Sequence, residues 1–177
     1  MKLKLLISLP VLLFATTLKA QEIKVDPISQ KVIFKEIIKA DSIPASELFI
    51  KSKEWISSYF NSAKAVIQIE DKEAGKIIGK AYNVIETSVF GYKAVQLHYT
   101  FAISIKNGKL KAEITDITYE SPGYYQYSAE ERITDEKINT GSKKDVQLNI
   151  DLKNQTILTV NKLIASLEQF VLTKSDW

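Results

Sequence analysis

From Val95 to Lys106 the chain alternates strictly. Val95, Leu97, Tyr99, Phe101, Ile103 and Ile105 fall on one side, and Gln96, His98, Thr100, Ala102, Ser104 and Lys106 on the other. Twelve residues of period two predict a strand with one buried face and one face in solvent. Asn107-Gly108 then predicts a tight two-residue hairpin turn, because both positions suit a positive φ. The return strand keeps phase through Leu110, Ala112 and Ile114 and slips at Asp116-Ile117, where a bulge is expected. Upstream, Ala65–Ile69 and Ile77–Val84 are two further strand candidates joined through a turn ending at Gly75. Val32–Ile38 is rich in β-branched residues and reads as a strand by composition, not by face.

Two segments carry the other period. After a start at Asp41-Ser42-Ile43-Pro44, Leu48, Phe49, Trp55, Ile56, Tyr59 and Phe60 make one stripe at helical spacing. Near the C-terminus Ile157, Val160, Leu163, Ile164, Leu167, Phe170 and Val171 repeat at three and four, with Lys174 beyond the end where a cation suits the helix dipole. Val146, Leu148, Ile150 and Leu152 alternate, which fits either a short strand or the approach to that helix. Residues 120–142 are polar and turn-rich and read as a long loop, a kind of segment that is often functional or mobile. The order is β-α-β-β-β-β-α, without βαβ alternation. It predicts an α+β two-layer sandwich, an antiparallel β-sheet with two helices on one face.

The N-terminus changes the charge picture. Lys2 and Lys4 precede fourteen uncharged residues, Leu5 to Leu18, and Ala20 follows. A basic start, an apolar stretch too short to span a bilayer and a small residue at the cut describe a signal peptide over residues 1–20. Its removal takes Lys2, Lys4 and Lys19, so the 24 cations of the full chain become 21, equal to the 21 acids. The remaining 21–177 is read as a single domain, neutral on balance, which gives no electrostatic reason to expect nucleic acid. No transmembrane span is expected in it. The chain has no Cys, which excludes disulfides, thiolate metal sites and a lipid-anchored N-terminal cysteine, so an exported protein that is not a lipoprotein is expected, periplasmic or secreted.

Several segments together carry a resemblance: Val32-Ile33-Phe34-Lys35-Glu36, the Trp55-centred helix, the return at Gly75-Lys76-Ile77-Ile78-Gly79, and Tyr99-Thr100-Phe101 leading through Asn107-Gly108 to Ile117. From Val32 to Tyr119 the chain resembles a bacterial exported family, the domain of unknown function 4468, with a TBP-like fold. Its element order is that of one half of the TATA-binding protein saddle. The resemblance implies the fold and an exported setting. It implies no catalytic residue, and a fold shared with a DNA binder is no evidence of DNA binding.

The search for chemistry is brief. No nucleophile elbow, metalloprotease helix, phosphate loop, dinucleotide fingerprint or calcium loop occurs, and one His cannot build a multi-histidine metal site. No catalytic residue, metal or cofactor is assigned. His98, the single histidine, lies on the polar face of the best strand; as a general base it would take an acid such as Glu113 on the partner strand, but a solvated imidazole is the plainer reading. Tyr119, Tyr124, Tyr125 and Tyr127 place half of the eight tyrosines within nine residues, and tyrosine offers stiff contact area with a polar tip. These four, with His98, are the candidate binding residues.

The expected function is that of an exported, non-enzymatic envelope protein binding a protein or glycan through the sheet face and the tyrosine segment. Two alternatives stand beside it: a hydrolase or isomerase using His98 with Glu113, and a carrier of a small apolar ligand held between sheet and helices.

Overall fold

The computed structural model describes residues 23–173 apart from 61, 90–92, 122 and 124. The proposed signal peptide, the Gly91 loop and Lys174 therefore lie outside the described residues. The elements in chain order are β1 (Lys24–Val25), β2 (Val32–Lys39), α1 (Ala45–Tyr59), α2 (Ala63–Val66), β3 (Ile67–Asp71), β4 (Lys76–Glu86), β5 (Ala94–Lys106), β6 (Lys109–Ser121), β7 (Tyr125–Ser128), α3 (Ala129–Arg132) and α4 (Lys143–Leu172). The strands form one antiparallel sheet in the order β1-β2-β6-β5-β4-β3, with β7 paired to the far end of β6. Helices α1 and α4 cover one face, as the two amphipathic stripes require.

The alternation of β5 places Val95, Leu97, Tyr99, Phe101, Ile103 and Ile105 in the core. Trp55 of α1 meets the Phe101 ring edge-on, and its indole N–H donates to Ser166 of α4 at 3.1 Å, so one side chain joins both helices to the sheet. Phe60 stacks on Phe101 at 5.6 Å between centroids. The Phe101 ring in turn lies over Gly79, its cross-strand partner, where a Cβ would overlap it. This is why β4 carries a glycine in mid-strand.

The expected bulge is present. Pairing runs from His98 opposite Thr118 to Thr100 opposite Thr115, so Tyr99 faces two residues, and Asp116 takes φ 51°. The inward phase passes from Leu110, Ala112 and Ile114 to Ile117 and Tyr119 across it. The hairpin turn differs from expectation. Gly108 has φ 72°, but Asn107 is not among the positive-φ residues. Asn107 instead turns its side-chain oxygen to the helix start, accepting from the Ala45 N–H at 2.9 Å, while Gly108 N–H donates to Ile43 O at 3.0 Å. An orphan donor of α1 is thereby satisfied from the hairpin, since Pro44 at the N-cap has no side chain able to do it.

Two other readings are corrected, and one left open between strand and helix is settled. Ala65-Val66 belong to the short turn of α2, nucleated by Ser62 Oγ accepting from Ala65 N–H, and the strand starts only at Ile67. The 120–142 segment is not a plain loop, because it completes β6 and contains β7 and α3. Val146–Leu152 is helical. A reciprocal cap between Ser142 and Asp145 starts α4 at Lys143, and burial of Leu148, Leu152, Thr156 and Val160 sets its inward face. At the other end of α4 a buried cation does come, though from α1: Lys51 Nζ donates to Val171 O at 3.2 Å and Thr173 O at 2.8 Å.

Candidate functional site

Among the described residues no element covers the sheet face away from the helices, and its central strands carry the polar set of the alternation. His98 stands there between Tyr82 of β4 and Thr118 of β6, each directly opposite it. The Tyr82 and His98 rings lie 5.3 Å apart, tilted by 34°. One pair further along, Lys80 faces Thr100, and the bulge brings Asp116 to the same spot. These side chains line a shallow open depression of about 310 Å³, bounded by Lys80, Tyr82, His98, Thr100, Asp116 and Thr118. Tyr82 is 55% exposed, so one edge of the hollow is an aromatic plate available to a ligand.

Its electrostatics are mixed. Lys31 binds the Asp116 carboxylate and holds it below the usual carboxylate range, with help from Thr100 and the nearby Lys80. His98 Nε2 lies 3.3 Å from Glu120 Oε2 yet makes no aligned hydrogen bond among the described residues, although it is shielded from solvent. The nitrogen thus lies beside a carboxylate without the alignment a hydrogen bond needs. Glu113 is not its partner. It lies opposite Ala102, four residues along β5 and so about 13 Å away by strand rise. Burial works against its ionisation, but bonds from Lys111 at 2.6 Å and Lys35 at 3.2 Å outweigh that and keep its carboxyl low. The pairing of His98 with Glu113 as acid and base is therefore corrected: the near carboxylate is Glu120.

Of the four candidate tyrosines, Tyr119 and Tyr127 have described side chains, and neither gathers with His98. Tyr119 is on the inner face, 1% exposed, with its hydroxyl 2.8 Å from Thr156 Oγ1, and burial pushes its phenol well above the ordinary value. Tyr127 pairs with Tyr119 across β6 and β7, hence on the helix side, and the Arg132 guanidinium lies over its ring at 3.9 Å. The Tyr125 backbone pairs with Ser121, and Tyr124 lies outside the described residues. His98 belongs to the open face and Tyr119 to the core. Tyr82, Thr118 and Glu120 were not singled out from the sequence; counting pairs back from the hairpin gives Thr118 and Glu120 only once the bulge is placed.

Among the described residues no cluster of His, Asp and Glu is arranged to hold a metal, and no helix is long and apolar enough to cross a membrane. Between sheet and helices, the gap bounded by Trp55, Phe101, Ile103, Ile114 and Leu163 holds about 10 Å³, no more than a water molecule needs. An apolar ligand has no room there, which removes the support for a carrier at this position.

Against known proteins, residues 34–120 match the model of a family described as "Domain of unknown function (DUF4468) with TBP-like fold". The chain resembles the DUF4468 family. Two solved structures agree with this. A DUF4468 family protein from Bacteroides ovatus is 17% identical, with TM-score 0.67 over 83% of this chain and 90% of that one. A TBP-like protein from Parabacteroides distasonis is 18% identical, with TM-score 0.65 over 82% and 95%. At such identity they show the fold alone: the DUF4468 segment supplies β2 through β6, and α4 covers it. No curated protein matches the chain.

Proposed function

We propose that this protein is an exported, non-enzymatic binding module of the bacterial envelope, and that the open sheet face takes a polar ligand of glycan type. The observation that carries this reading is the exposed Tyr82 plate beside His98, set in a hollow bordered by hydroxyls, a cation and a carboxylate. Sugar rings combine apolar C–H faces with hydroxyl edges, and such a surface meets both. Export rests on the leader-like residues 1–20, and the neutral charge of the remainder favours an uncharged or mixed partner over nucleic acid. A protein partner on the same face is the remaining form of this reading.

Because His98 is the single histidine, its ring protons give one pair of signals in a proton NMR spectrum. Titration with peptidoglycan fragments and other envelope glycans is expected to move those signals, and Tyr82→Ala to remove the response. Signals that stay fixed at saturating glycan overturn the glycan assignment. A hydrolase or isomerase has one observation in its favour, the approach of Glu120 to His98 Nε2. It would require turnover that His98→Ala abolishes while the fold persists.

A further inference from the structure

The outer edge of β4 changes character at Gly79. Up to that residue β3 covers it, with Asp71 opposite Lys76 and Ile67 opposite Gly79. From Lys80 to Glu86 no strand pairs with this edge among the described residues, while β5 pairs with the other edge residue for residue. The backbone direction follows from two bonds at the strand ends. Thr87 N–H donates to Lys93 O at 3.2 Å and Ile105 N–H donates to Gly75 O at 2.7 Å, so odd-numbered positions face β5. Bonding direction alternates along a strand, and the N–H and C=O groups of Lys80, Tyr82, Val84 and Glu86 therefore point out of the sheet. Helix α4 does not close the gap. A groove of about 350 Å³ separates Asn83–Glu86 from Leu158 and Lys162. Beside it Tyr82, Val84 and Leu158 are 55%, 62% and 46% exposed.

Open edges of this kind are normally blunted by charge, proline, a bulge or a covering element. Here the segment reads Lys80-Ala81-Tyr82-Asn83-Val84-Ile85-Glu86, with one cation at its start and one anion at its end. Neither Lys80 nor Glu86 has an ion pair among the described residues; Lys80 lies near Asp116, whose carboxylate Lys31 already holds. Laid antiparallel on itself about Asn83, the segment is self-complementary. Lys80 falls opposite Glu86 of the second copy, Tyr82 opposite Val84, and Ala81 opposite Ile85. The two-fold repeats each pair, so both charges are answered twice. A slip of two residues sets Lys80 against Val84 or Glu86 against Tyr82, and a slip of one exchanges the faces.

We infer that this edge is a docking surface for a second copy of the chain: the two β4 strands pair antiparallel about Asn83 and merge both sheets into one. The outward backbone groups supply the bonds, the Lys80–Glu86 pairs set the register, and Tyr82 against Val84 is the aromatic–β-branched pair that cross-strand packing favours. Both open faces then look the same way, with one hollow on each side of the seam.

Sedimentation velocity of the full-length-expressed, purified chain over a wide concentration range tests this. The expected result is a reversible dimer whose dissociation constant rises roughly tenfold in Lys80→Glu and again in Glu86→Lys. The double reversal Lys80→Glu/Glu86→Lys is expected to restore it, because each new acid then faces a new base. Circular dichroism is expected to stay unchanged throughout, since both positions are exposed. Glu86 lies outside the hollow, so Glu86→Lys separates loss of pairing from loss of ligand. A monomer at all concentrations overturns the inference, as does a dimer that ignores both single reversals, or a double reversal no tighter than either single change.

Discussion

The Tyr119 hydroxyl meets Thr156 Oγ1 at 2.8 Å inside the protein, where Tyr119 is 1% and Thr156 0% exposed. It is a buried polar contact between the end of β6 and the middle of α4, on the residue that heads the tyrosine-rich segment. Tyr119→Phe strands the threonine hydroxyl and is expected to cost about 1–2 kcal/mol of stability. Tyr119→Phe combined with Thr156→Val removes both partners and is expected to recover part of that. Chemical denaturation of Tyr119→Phe, Thr156→Val and the double variant measures it, and single losses that simply add in the double variant would disprove the coupling.

Gly79 is expected to resist any side chain. A Cβ there overlaps the Phe101 ring, which is itself wedged between Trp55 and Phe60 and cannot swing away cheaply. Gly79→Ala should destabilise by about 1–3 kcal/mol, the range for overpacking a filled core. Thermal unfolding would read this as a clear fall in the midpoint. The companion change Phe101→Leu, which vacates the space, should make Gly79→Ala less costly than it is alone.

Asn107→Ala is expected to lower stability by about 0.5–2 kcal/mol, the usual loss when a helix-start acceptor goes. The change touches a hairpin turn, yet its effect should appear in α1. Hydrogen exchange of the Ala45 amide is the direct readout, and faster exchange there without faster exchange in β5 would match the 2.9 Å bond.

Lys51→Met keeps the bulk of the side chain and removes its donors to Val171 and Thr173. The last carbonyls of α4 then lose a cation that is largely withdrawn from solvent, for an expected cost of about 1–2 kcal/mol. Lys51→Arg, with more donors on a different stem, should fall between.

Glu113 gives a pH test with a definite sign. Its carboxyl is held below the ordinary value of 4.5 in the folded protein, against burial, by Lys111 and Lys35. The unfolded chain therefore takes up the proton first as pH falls. The stabilisation is fully present above that ordinary value and is lost as pH drops through the folded one. Glu113→Gln should accordingly be less stable than wild type at neutral pH, with a shallower decline on the acid limb. Urea unfolding from pH 6 down toward pH 3 measures both.

Much of the architecture was readable because single residues declare it. The alternation of Val95–Ile105 has one physical solution, and the phase slip at Asp116-Ile117 has few others. What failed to show were features decided by distant partners. Val146–Leu152 alternates and fits either period; the cap at Ser142 and the burial of Leu148 and Leu152 make it helix. Asn107 is drawn from the expected turn geometry by a helix start 62 positions away. Tyr82 sits in a stretch where Ile77-Ile78 and Val84-Ile85 blur the period, so its place beside His98 emerges only from the register. Tyr119 and Tyr127 take the helix side of β6 and β7, which adjacency in sequence does not reveal.

Strand β6 changes companion part-way along one edge, serving β2 from Lys109 to Ile114 and β7 from Thr118 to Ser121. At the interruption Lys31 reaches Asp116, and Glu130 accepts from the Val32 N–H at 2.6 Å. The arrangement works as a joint in which the entry of the folded chain and its distal third are fastened together. Damage at one will be felt at the other.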